Sequence, residues 1–430
     1  MKKNINSEEN NKEPLERKKL INRISEYINK ITFFKHKNFK IIFIAVALVL
    51  SFGFGMIVEY TVFKHTYFKN KDVKQLDSEL VKFVDTYDYV INNYYEDVDK
   101  SKLIDNAISG MIGSLDDEYS SFLNGTENTN LNIYLTGSFE GIGVVMNTST
   151  ENNQTSIASI FKESPAEKAG LKIGDIILKI DNEDVTTKSN QEITDIFKNK
   201  TGVIMITIDR DNNKLTFALE KGTVEIQSVN SKIINDDIGY ISVNIFALNT
   251  YQQFKDQLDQ LESENIKGLI IDLRDNSGGH LTSVEKMISL FLDSSHVIYQ
   301  TDTKGNIEKF YSTGNATKNY PIVLISNNGS ASASEVMIGA LKEEYGAIQV
   351  GTTTYGKGTV QQLNKLSEDE QYKITIKKWL TPNGSWVNKV GISPDYDVEL
   401  AETYFSNPSD ENDNQLQTAI SKITDMMSSR

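Results

Sequence analysis

The spacing of hydrophobic residues divides the chain into three kinds of segment. An apolar run without a charged residue covers 41–58, and Phe39 extends it to the length of a membrane-spanning helix. Apolar residues then recur at helical spacing over 76–95 and 102–115, which predicts a short helical arm. Beyond about residue 131, short strand-like runs dominate, first with two helices between them and then in alternation with helices. We therefore predict a membrane segment, a helical arm and two larger folded modules.

The stretch 131–222 combines short strands with two helices and predicts one compact module. We predict strands within 139–146, 156–161 and 175–180, helices over 165–169 and 188–198, and a hairpin formed by 203–209 and 215–220. Residues 164–185, SPAEKAGLKIGDIILKIDNEDV, resemble the core of a PDZ domain. In such a domain a glycine turn binds a terminal carboxylate through backbone N–H groups, and the peptide adds as a strand beside it. The residues that the resemblance implies for peptide binding are Gly141, Ile142, Gly143 and Val144.

Strands and helices alternate in the segment 223–405. We predict strands over 238–243, 268–273, from 297 and over 321–325, with helices over 250–263, 281–292 and 333–345. This order is typical of a mainly parallel sheet whose faces are covered by helices. The run Gly268–Leu273 is apolar without alternation, which indicates a strand buried on both sides. The last segment, 406–430, is predicted to be a helical tail.

The distribution of charged residues predicts how the apolar run 41–58 is oriented across a membrane. Residues 1–40 hold eleven Lys or Arg and five Asp or Glu, so the remainder of a chain with net charge −14 carries −20. This acidic main part argues against nucleic acid as a partner. Under the positive-inside rule the basic leader 1–38 is cytoplasmic, 39–58 is a transmembrane helix, and the rest lies outside the cytoplasm. The alternative is a cleaved signal peptide, although the leader is long and no A-x-A-like site follows the run.

The amino-acid composition excludes several kinds of catalytic and metal-binding site. The chain has no cysteine, which excludes disulfides, thiolate catalysis and cysteine-built zinc sites. It has only four histidines, and it contains no H-E-x-x-H motif, no phosphate-binding loop and no carboxylate cluster suited to a metal. We therefore predict neither a metal nor a cofactor. His280 with Asp272 or Asp275 would make one Ser/His/Asp combination, but we expect Asp272 to pair with Arg274 instead.

A run of small residues, NNGSASASE, occupies 327–335, where a predicted strand ends and a predicted helix begins. Ser332 lies at the start of that helix and is a candidate nucleophile. The N–H of Ala333 is then a candidate oxyanion donor, because donors at a helix start lack intrahelical partners and the helix dipole favours a negative charge. The alternative is a capping box, since Ser332 and Glu335 have the S-x-x-E spacing.

A second segment, GTTTYGKGTVQQ at 351–362, places Lys357 between two glycines, just before a predicted strand. A lysine shielded from water loses its proton more readily, because burial disfavours the charged ammonium. The neutral amine can then accept a proton from a serine hydroxyl, which makes Lys357 a candidate general base in a chain poor in histidine. A solvated lysine in a turn is the alternative for this segment alone.

The two segments, in this order, resemble the C-terminal processing peptidases, also called tail-specific proteases, which use a Ser/Lys dyad. The shared motifs are SASASE, GKGxVQ, MIGSLDDEYSSFL at 111–123, IIDLRDNSGG at 270–279, LTPNG at 380–384 and GISPD at 391–395. The resemblance implies that Ser332 is the nucleophile, Lys357 the base and Gln361 the residue that orients the lysine. It also implies Gly278, or Gly279 as a second choice, as the partner of Ala333 in an oxyanion hole.

The resemblance further implies an architecture and an activity. The fold would be an α/β protease core with a crotonase/ClpP-like βαβ sheet over 223–405, an inserted PDZ domain over 131–222, a helical arm over 59–130 and one transmembrane helix. The protein would be a membrane-anchored, extracytoplasmic serine endopeptidase that binds protein C-termini and forms an acyl-enzyme, with a homodimer as a candidate assembly. Two alternatives are a non-catalytic PDZ adaptor on a degenerate protease scaffold and a crotonase-like acyl-CoA enzyme. LDDEYSSFL in the arm and Trp386 in GSWVNKV depart from the family pattern near the substrate groove.

Overall fold

A computed structural model describes residues 78–149, 154–367 and 369–429. The chain divides into two compact units, residues 1–100 and residues 101–430. In the first unit the described part contains the helix α1 (Ser78–Asn93), in which no residue is buried. The predicted leader 1–38 and transmembrane helix 39–58 lie outside the described residues. Within the described ranges, no helix is long and apolar enough to cross a membrane.

The second unit begins with two helices and a short strand. These elements are α2 (Lys100–Gly113), β1 (Ser121–Asn124) and α3 (Gly125–Thr136). The sequence pattern did not predict α3, because its apolar residues are spread around the helix rather than along one face. Gly137 ends α3 in the left-handed conformation, and its N–H donates to Ile133 O. The helix α3 thus runs across position 130, where we predicted one segment to end and the next to begin.

The next module contains an antiparallel sheet and two helices. Its elements are β2 (Ser138–Gly141), β3 (Val144–Thr148), β4 (Thr155–Ile160), α4 (Pro165–Ala169), β5 (Ile176–Ile180), β6 (Glu183–Asp184), α5 (Asn190–Asn199), β7 (Val203–Arg210), β8 (Asn213–Glu220) and β9 (Gly222–Glu225). The sheet order is β3-β4-β5-β7-β8 with β6 beside β5, while β2 and β9 pair with each other. Buried isoleucines, among them Ile157 and Ile206, form much of the core. Ser189 caps α5, which therefore begins at Asn190 rather than at the predicted Lys188.

The largest module follows and contains a mainly parallel sheet. Its elements are β10 (Val229–Ile234), β11 (Ile238–Val243), α6 (Thr250–Ser263), β12 (Gly268–Asp272), α7 (Leu281–Ile288), β13 (Val297–Thr303), β14 (Asn306–Tyr311), β15 (Ile322–Ser326), α8 (Ala333–Ala340), a π-helix (Leu341–Tyr345), β16 (Ile348–Gly351), β17 (Thr359–Lys365), β18 (Glu370–Leu380), β19 (Tyr396–Asp397), α9 (Glu402–Ser406) and α10 (Asn414–Ser428). Six strands have the order β10-β11-β12-β15-β16-β19, and every pair except β10 with β11 is parallel. The predicted mainly parallel sheet is confirmed.

Helices cover both faces of this sheet. Phe254 of α6, Met287 of α7 and Ile338 of α8 belong to one core cluster, which includes Leu269 of β12. Residues of α10, among them Ile423, pack in a second cluster with alternate residues of the same strands. Because successive side chains of a strand point to opposite faces, the two clusters lie on opposite sides of the sheet. The strand β12 is buried at every position, as its apolar run predicted.

A second sheet contains the segment that follows Lys357. Its order is β1-β18-β13-β14, with β17 on the other edge of β18. The hydrophobic pattern predicted only β13 and the strand after Lys357 in this sheet. The register of β17 with β18 places Gln361 opposite Thr375 and Leu363 opposite Lys373. The residues that follow Lys357 therefore belong to a strand that is hydrogen-bonded to β18.

Candidate active site

Ser332 lies in a sharp turn between β15 and α8. Its φ is 54° and its ψ is −113°, a conformation that non-glycine residues rarely adopt. Such a conformation costs about 1–3 kcal/mol and persists only where neighbouring contacts hold it. Ala331 N–H and Ser334 Oγ both donate to Asn276 O, at 3.0 Å and 2.7 Å. These bonds fasten the Ser332 turn to residues 276–279, which we call the glycine turn.

Glu335 is fully buried and accepts four hydrogen bonds. One comes from Ser332 N–H (2.8 Å), which is the carboxylate half of the predicted capping box. The others come from the loop that carries the lysine, namely from Thr354 Oγ1 (2.6 Å), Gly356 N–H (2.7 Å) and Lys357 N–H (2.9 Å). Sequence reasoning assigned Glu335 only a capping role, because the S-x-x-E spacing carries no information about a loop twenty residues away. The structure instead makes this carboxylate a link between the two candidate catalytic segments.

The glycines on either side of Lys357 are required by close packing. A Cβ on Gly356 would lie 2.8 Å from a backbone nitrogen of the neighbouring loop, and one on Gly358 would lie 2.7 Å from the indole nitrogen of Trp386. Trp379 Nε1 donates to Lys357 O (2.6 Å), and Trp386 Nε1 donates to Gly358 O (2.8 Å). Trp386, a departure from the family pattern, therefore supports the backbone of the lysine loop.

The Lys357 side chain is partly buried. Its Nζ lies 4.9 Å from the centre of the Tyr119 ring, which is a cation–π contact. Burial lowers the pKa of Lys357, and the positive charge of Lys373 lowers it further, while the negative charge of Glu335 acts in the opposite direction. A lowered pKa is the direction that a general base needs near neutral pH.

Ser332, Lys357 and Gln361 line one cavity of about 680 Å³. Among the described residues, Lys357 Nζ nevertheless donates no hydrogen bond to Ser332 Oγ or to Gln361. The Gln361 amide donates instead to the hydroxyls of Thr359 (2.9 Å) and Thr375 (3.1 Å). The predicted role of Gln361 as the residue that orients the lysine stays a prediction.

The walls of this cavity are mostly apolar and come from several elements. Its larger side chains are Tyr119, Leu131, Tyr134, Leu281, Tyr299, Val336, Trp379 and Leu363. Concave, largely apolar sites with a few polar groups are typical of substrate pockets. The cavity can therefore accept apolar side chains of a peptide close to Ser332.

The three candidate oxyanion donors are Gly278, Gly279 and Ala333, and they differ in whether the backbone N–H already has an acceptor. Gly278 N–H donates to Asn276 Oδ1 (3.0 Å). Gly279 lines the cavity, and its N–H has no acceptor within the described part of the chain. The same is true of Ala333 N–H at the start of α8. The geometry thus favours Gly279, our second choice, over Gly278 as the partner of Ala333.

The predicted peptide-binding turn lies between β2 and β3. Ile142 O accepts a hydrogen bond from Ala166 N–H (2.9 Å), and Gly143 O accepts one from Phe161 N–H (3.0 Å), so both carbonyls are used inside the module. The strand β3 begins at Val144 and is the outer strand of its sheet, and α5 contacts it. An open strand edge beside a helix is the arrangement in which PDZ domains add a peptide strand.

His280 makes its contacts away from Ser332. Its Nδ1 lies 3.2 Å from Ser283 Oγ, and burial lowers the pKa of the imidazole. Asp272 forms the predicted ion pair with Arg274 (2.5 Å), which also pairs with an aspartate that precedes α10 (2.8 Å). Contacts among the described residues therefore build no Ser/His/Asp arrangement around Ser332.

The α/β core, the module with an open strand edge and the serine–lysine cavity together define a serine peptidase that carries a PDZ domain. Known families agree with this class. Residues 237–398 match the peptidase family S41, residues 130–209 match the PDZ domain, and residues 56–127 match the family described as the activating protease CtpB N-terminal domain. The chain belongs to peptidase family S41 and is a hydrolase of the carboxy-terminal processing type.

Three relatives illustrate the similarity. The carboxy-terminal processing protease CtpB of Bacillus subtilis is 36% identical over 345 residues, which cover 78% of this chain and 72% of the relative. The carboxy-terminal processing protease CtpA of the same organism is 33% identical over 329 residues, which cover 76% and 70%. A probable CtpA-like serine protease of Staphylococcus epidermidis is 31% identical over 369 residues, which cover 85% and 74%. Membership of a peptidase family argues against the acyl-CoA enzyme. The presence of Ser332, Lys357 and Gln361 argues against an adaptor on a degenerate protease scaffold.

Proposed function

We propose that this peptidase is anchored in a membrane by residues 39–58 and acts outside the cytoplasm. The support is the uncharged run 41–58 directly after residues 1–40, which include eleven basic residues. The substrates are proteins with exposed or unstructured C-termini. The PDZ module binds such a tail at residues 141–144, where the open edge of β3 accepts an added strand. Association into a homodimer stays a prediction.

In the proposed mechanism, Ser332 is the nucleophile and Lys357 the general base. The neutral Lys357 amine takes the proton from Ser332 Oγ while this oxygen attacks the peptide carbonyl carbon. The N–H groups of Ala333 and Gly279 donate to the carbonyl oxygen as it becomes negative. The Lys357 ammonium then gives its proton to the leaving amine, and an acyl-enzyme remains on Ser332. Water, deprotonated by Lys357, hydrolyses the ester and regenerates the serine.

This mechanism requires a rotation of the Lys357 side chain. The amine packs on Tyr119, and the Gln361 amide bonds to two threonines. When the lysine turns toward Ser332, its neutral amine leaves the Tyr119 ring and accepts a hydrogen bond from the Ser332 hydroxyl, while the Gln361 carbonyl oxygen can accept a bond from the amine. Catalytic hydrogen bonds often become short only in the complex with substrate.

The Glu335 carboxylate is the observation that carries the proposal. It accepts hydrogen bonds from the backbone N–H groups of both Ser332 and Lys357, at 2.8 Å and 2.9 Å. The two backbones are thus held at one cavity by one buried group. In the proposal, rotation of the Lys357 side chain toward Ser332 completes the dyad.

The test is the hydrolysis of an unfolded protein by purified variants. Ser332→Ala and Lys357→Met should each lower kcat by about 10³-fold or more, because residues that act as a unit fail together. Lys365→Met, at the exposed end of β17, is the matched control and should retain the wild-type rate. Circular dichroism checks that each variant is folded. A wild-type rate in either Ser332→Ala or Lys357→Met would refute the dyad.

A further inference from the structure

Tyr134 reaches from α3 to the glycine turn. Its hydroxyl oxygen lies 2.9 Å from Gly278 O and 2.9 Å from Ser277 Oγ. A carbonyl can only accept, so the Tyr134 proton goes to Gly278 O and the Ser277 hydroxyl donates to the Tyr134 oxygen. Burial raises the pKa of Tyr134, which keeps the hydroxyl protonated and able to donate at neutral pH.

The carbonyl that Tyr134 bonds shares a peptide unit with the N–H of Gly279. Because a trans peptide is planar, its C=O and N–H point in opposite directions. Gly278 O accepts a second hydrogen bond, from Phe246 N–H (3.1 Å), and His280 N–H donates to Phe246 O (2.5 Å). This pattern is a parallel bridge between Phe246 and Gly279. In such a bridge the N–H of Gly279 itself points away from Phe246, which is the side of the cavity.

The two glycines do not hold this orientation by themselves. Their φ values are 100° for Gly278 and 135° for Gly279, and glycine has access to many other conformations at little cost. If the peptide between them turned over, its carbonyl would face the cavity and the donor would be lost. The Tyr134 hydroxyl and the Phe246 N–H both oppose that change, because each would lose its acceptor.

The helix that carries Tyr134 is itself fixed to the core. Leu248 N–H donates to Leu135 O (2.8 Å), and Asn249 Nδ2 donates to Gly137 O (3.0 Å). These two bonds fall immediately after Tyr134 in the chain. The hydroxyl therefore acts on the glycine turn from an anchored backbone.

We propose that Tyr134 is a positioning residue, whose hydroxyl holds the Gly278–Gly279 peptide so that Gly279 N–H can stabilise the oxyanion. This inference rests on the proposed function, because it requires acyl transfer at Ser332. Tyr134 touches no reacting atom and acts only through the peptide. Its effect therefore belongs to the transition state and not to substrate binding.

The test compares two variants that each remove one tyrosine hydroxyl. Tyr134→Phe removes the bond to Gly278 O, and Tyr345→Phe removes a bond of the same kind, to Tyr320 O (2.8 Å), that lies outside the cavity. The probe is a fluorogenic, unstructured peptide with a free C-terminal carboxylate. Tyr134→Phe should lower kcat by about 10-fold or more and change KM by less than about 2-fold, while Tyr345→Phe should leave both within about 2-fold.

A second measurement separates positioning from a general loss of structure. The affinity for a peptidyl boronate, which mimics the tetrahedral intermediate, should fall in Tyr134→Phe by the same factor as kcat/KM. Equal kcat values in the two phenylalanine variants would overturn the role of Tyr134. A change of KM in Tyr134→Phe with kcat unchanged would overturn it as well. Ser332→Ala tests the proposed function separately. If Ser332→Ala is inactive and Tyr134→Phe is normal, only this inference fails, whereas an active Ser332→Ala removes the proposed function as well.

Discussion

The amine of Lys357 has charged neighbours on several sides. Lys373, on β18, lines the same cavity and makes no ion pair within the described part of the chain. The carboxylates that oppose it are Glu335 in α8 and, in the loop before β1, Asp117 and Glu118. Burial and the charge of Lys373 lower the pKa of Lys357 by more than these three carboxylates raise it, so the pKa is lowered overall. The pH at which the peptidase works therefore depends on a residue that the proposed mechanism does not use directly.

Lys373→Met should move the pH profile. Removal of the positive charge raises the pKa of Lys357, so a smaller fraction of the amine is neutral at any given pH below it. Because the base must be neutral, kcat/KM rises with pH through this pKa, and the acidic limb of Lys373→Met should shift to higher pH. The control is Lys377→Met, which removes a lysine of the same strand that pairs with Glu308 (3.2 Å) and lies outside the cavity. An unmoved limb, or the same shift in the control, would contradict this account of the base.

At the scale of elements, α8 and the lysine loop are joined by one carboxylate. Glu335→Gln replaces an acceptor of four hydrogen bonds by an amide, whose NH2 group cannot accept any of them. We expect the free energy of unfolding to fall by about 1–3 kcal/mol and kcat to fall with it, because the Ser332 and Lys357 backbones are no longer held together.

Chemical denaturation and steady-state kinetics measure these two effects of Glu335→Gln. The control is Glu343→Gln, since Glu343 also accepts a backbone N–H, from Asn383 (2.8 Å), but at an exposed position. The control should lose less than about 1 kcal/mol. Full activity in Glu335→Gln would mean that the carboxylate link has no part in catalysis.

The sequence pattern predicted elements well where one face is apolar. The helix α6 (Thr250–Ser263) and the strand β11 (Ile238–Val243) were predicted with the observed bounds. The pattern failed for α3, whose apolar residues are not on one face, and for most of the second sheet. It also predicted one α-helix over 333–345, whereas the structure changes to a π-helix at Leu341.

The sequence predicted those residues of the candidate site that lie within short, recognisable motifs. Ser332 and Lys357 each lie in a short motif that can be recognised without a structure. Tyr119 and Tyr134 were not predicted, because each contributes one contact from a distant segment. The choice between Gly278 and Gly279 depends on the direction of one peptide, and both orders are compatible with the sequence NSGG.

At the scale of the whole molecule, the chain enters and leaves the PDZ module through two strands that lie side by side. The strand β2 follows α3 after one residue, β9 is followed closely by β10, and β2 and β9 pair with each other. The helix α3 also carries Tyr134 to the glycine turn. The helix α3 therefore leads directly into the PDZ module and also contacts the glycine turn, and its last turn is hydrogen-bonded to the core.

Recognition of a free C-terminus can be tested on the substrate alone. If the turn 141–144 binds a terminal carboxylate, amidation of that terminus removes the charge and at least one charge-assisted hydrogen bond. We expect kcat/KM for the amidated peptide to be lower by about 10-fold or more, since hydrogen bonds to charged groups contribute about 1.5–3 kcal/mol. Equal rates for a matched pair of free and amidated peptides would show that the PDZ module does not select tails in this way.

The identity of the nucleophile is the central claim, and one measurement tests it most directly. The protein is allowed to react with a serine-directed fluorophosphonate, digested, and analysed by mass spectrometry to find the modified residue. Three serines lie within five positions, Ser330, Ser332 and Ser334, and Ser332 alone has a left-handed backbone at the start of α8. We predict a single adduct on Ser332 that is lost in Lys357→Met. An adduct on Ser330, on Ser334 or on any other residue, with Ser332 unmodified, would contradict the account.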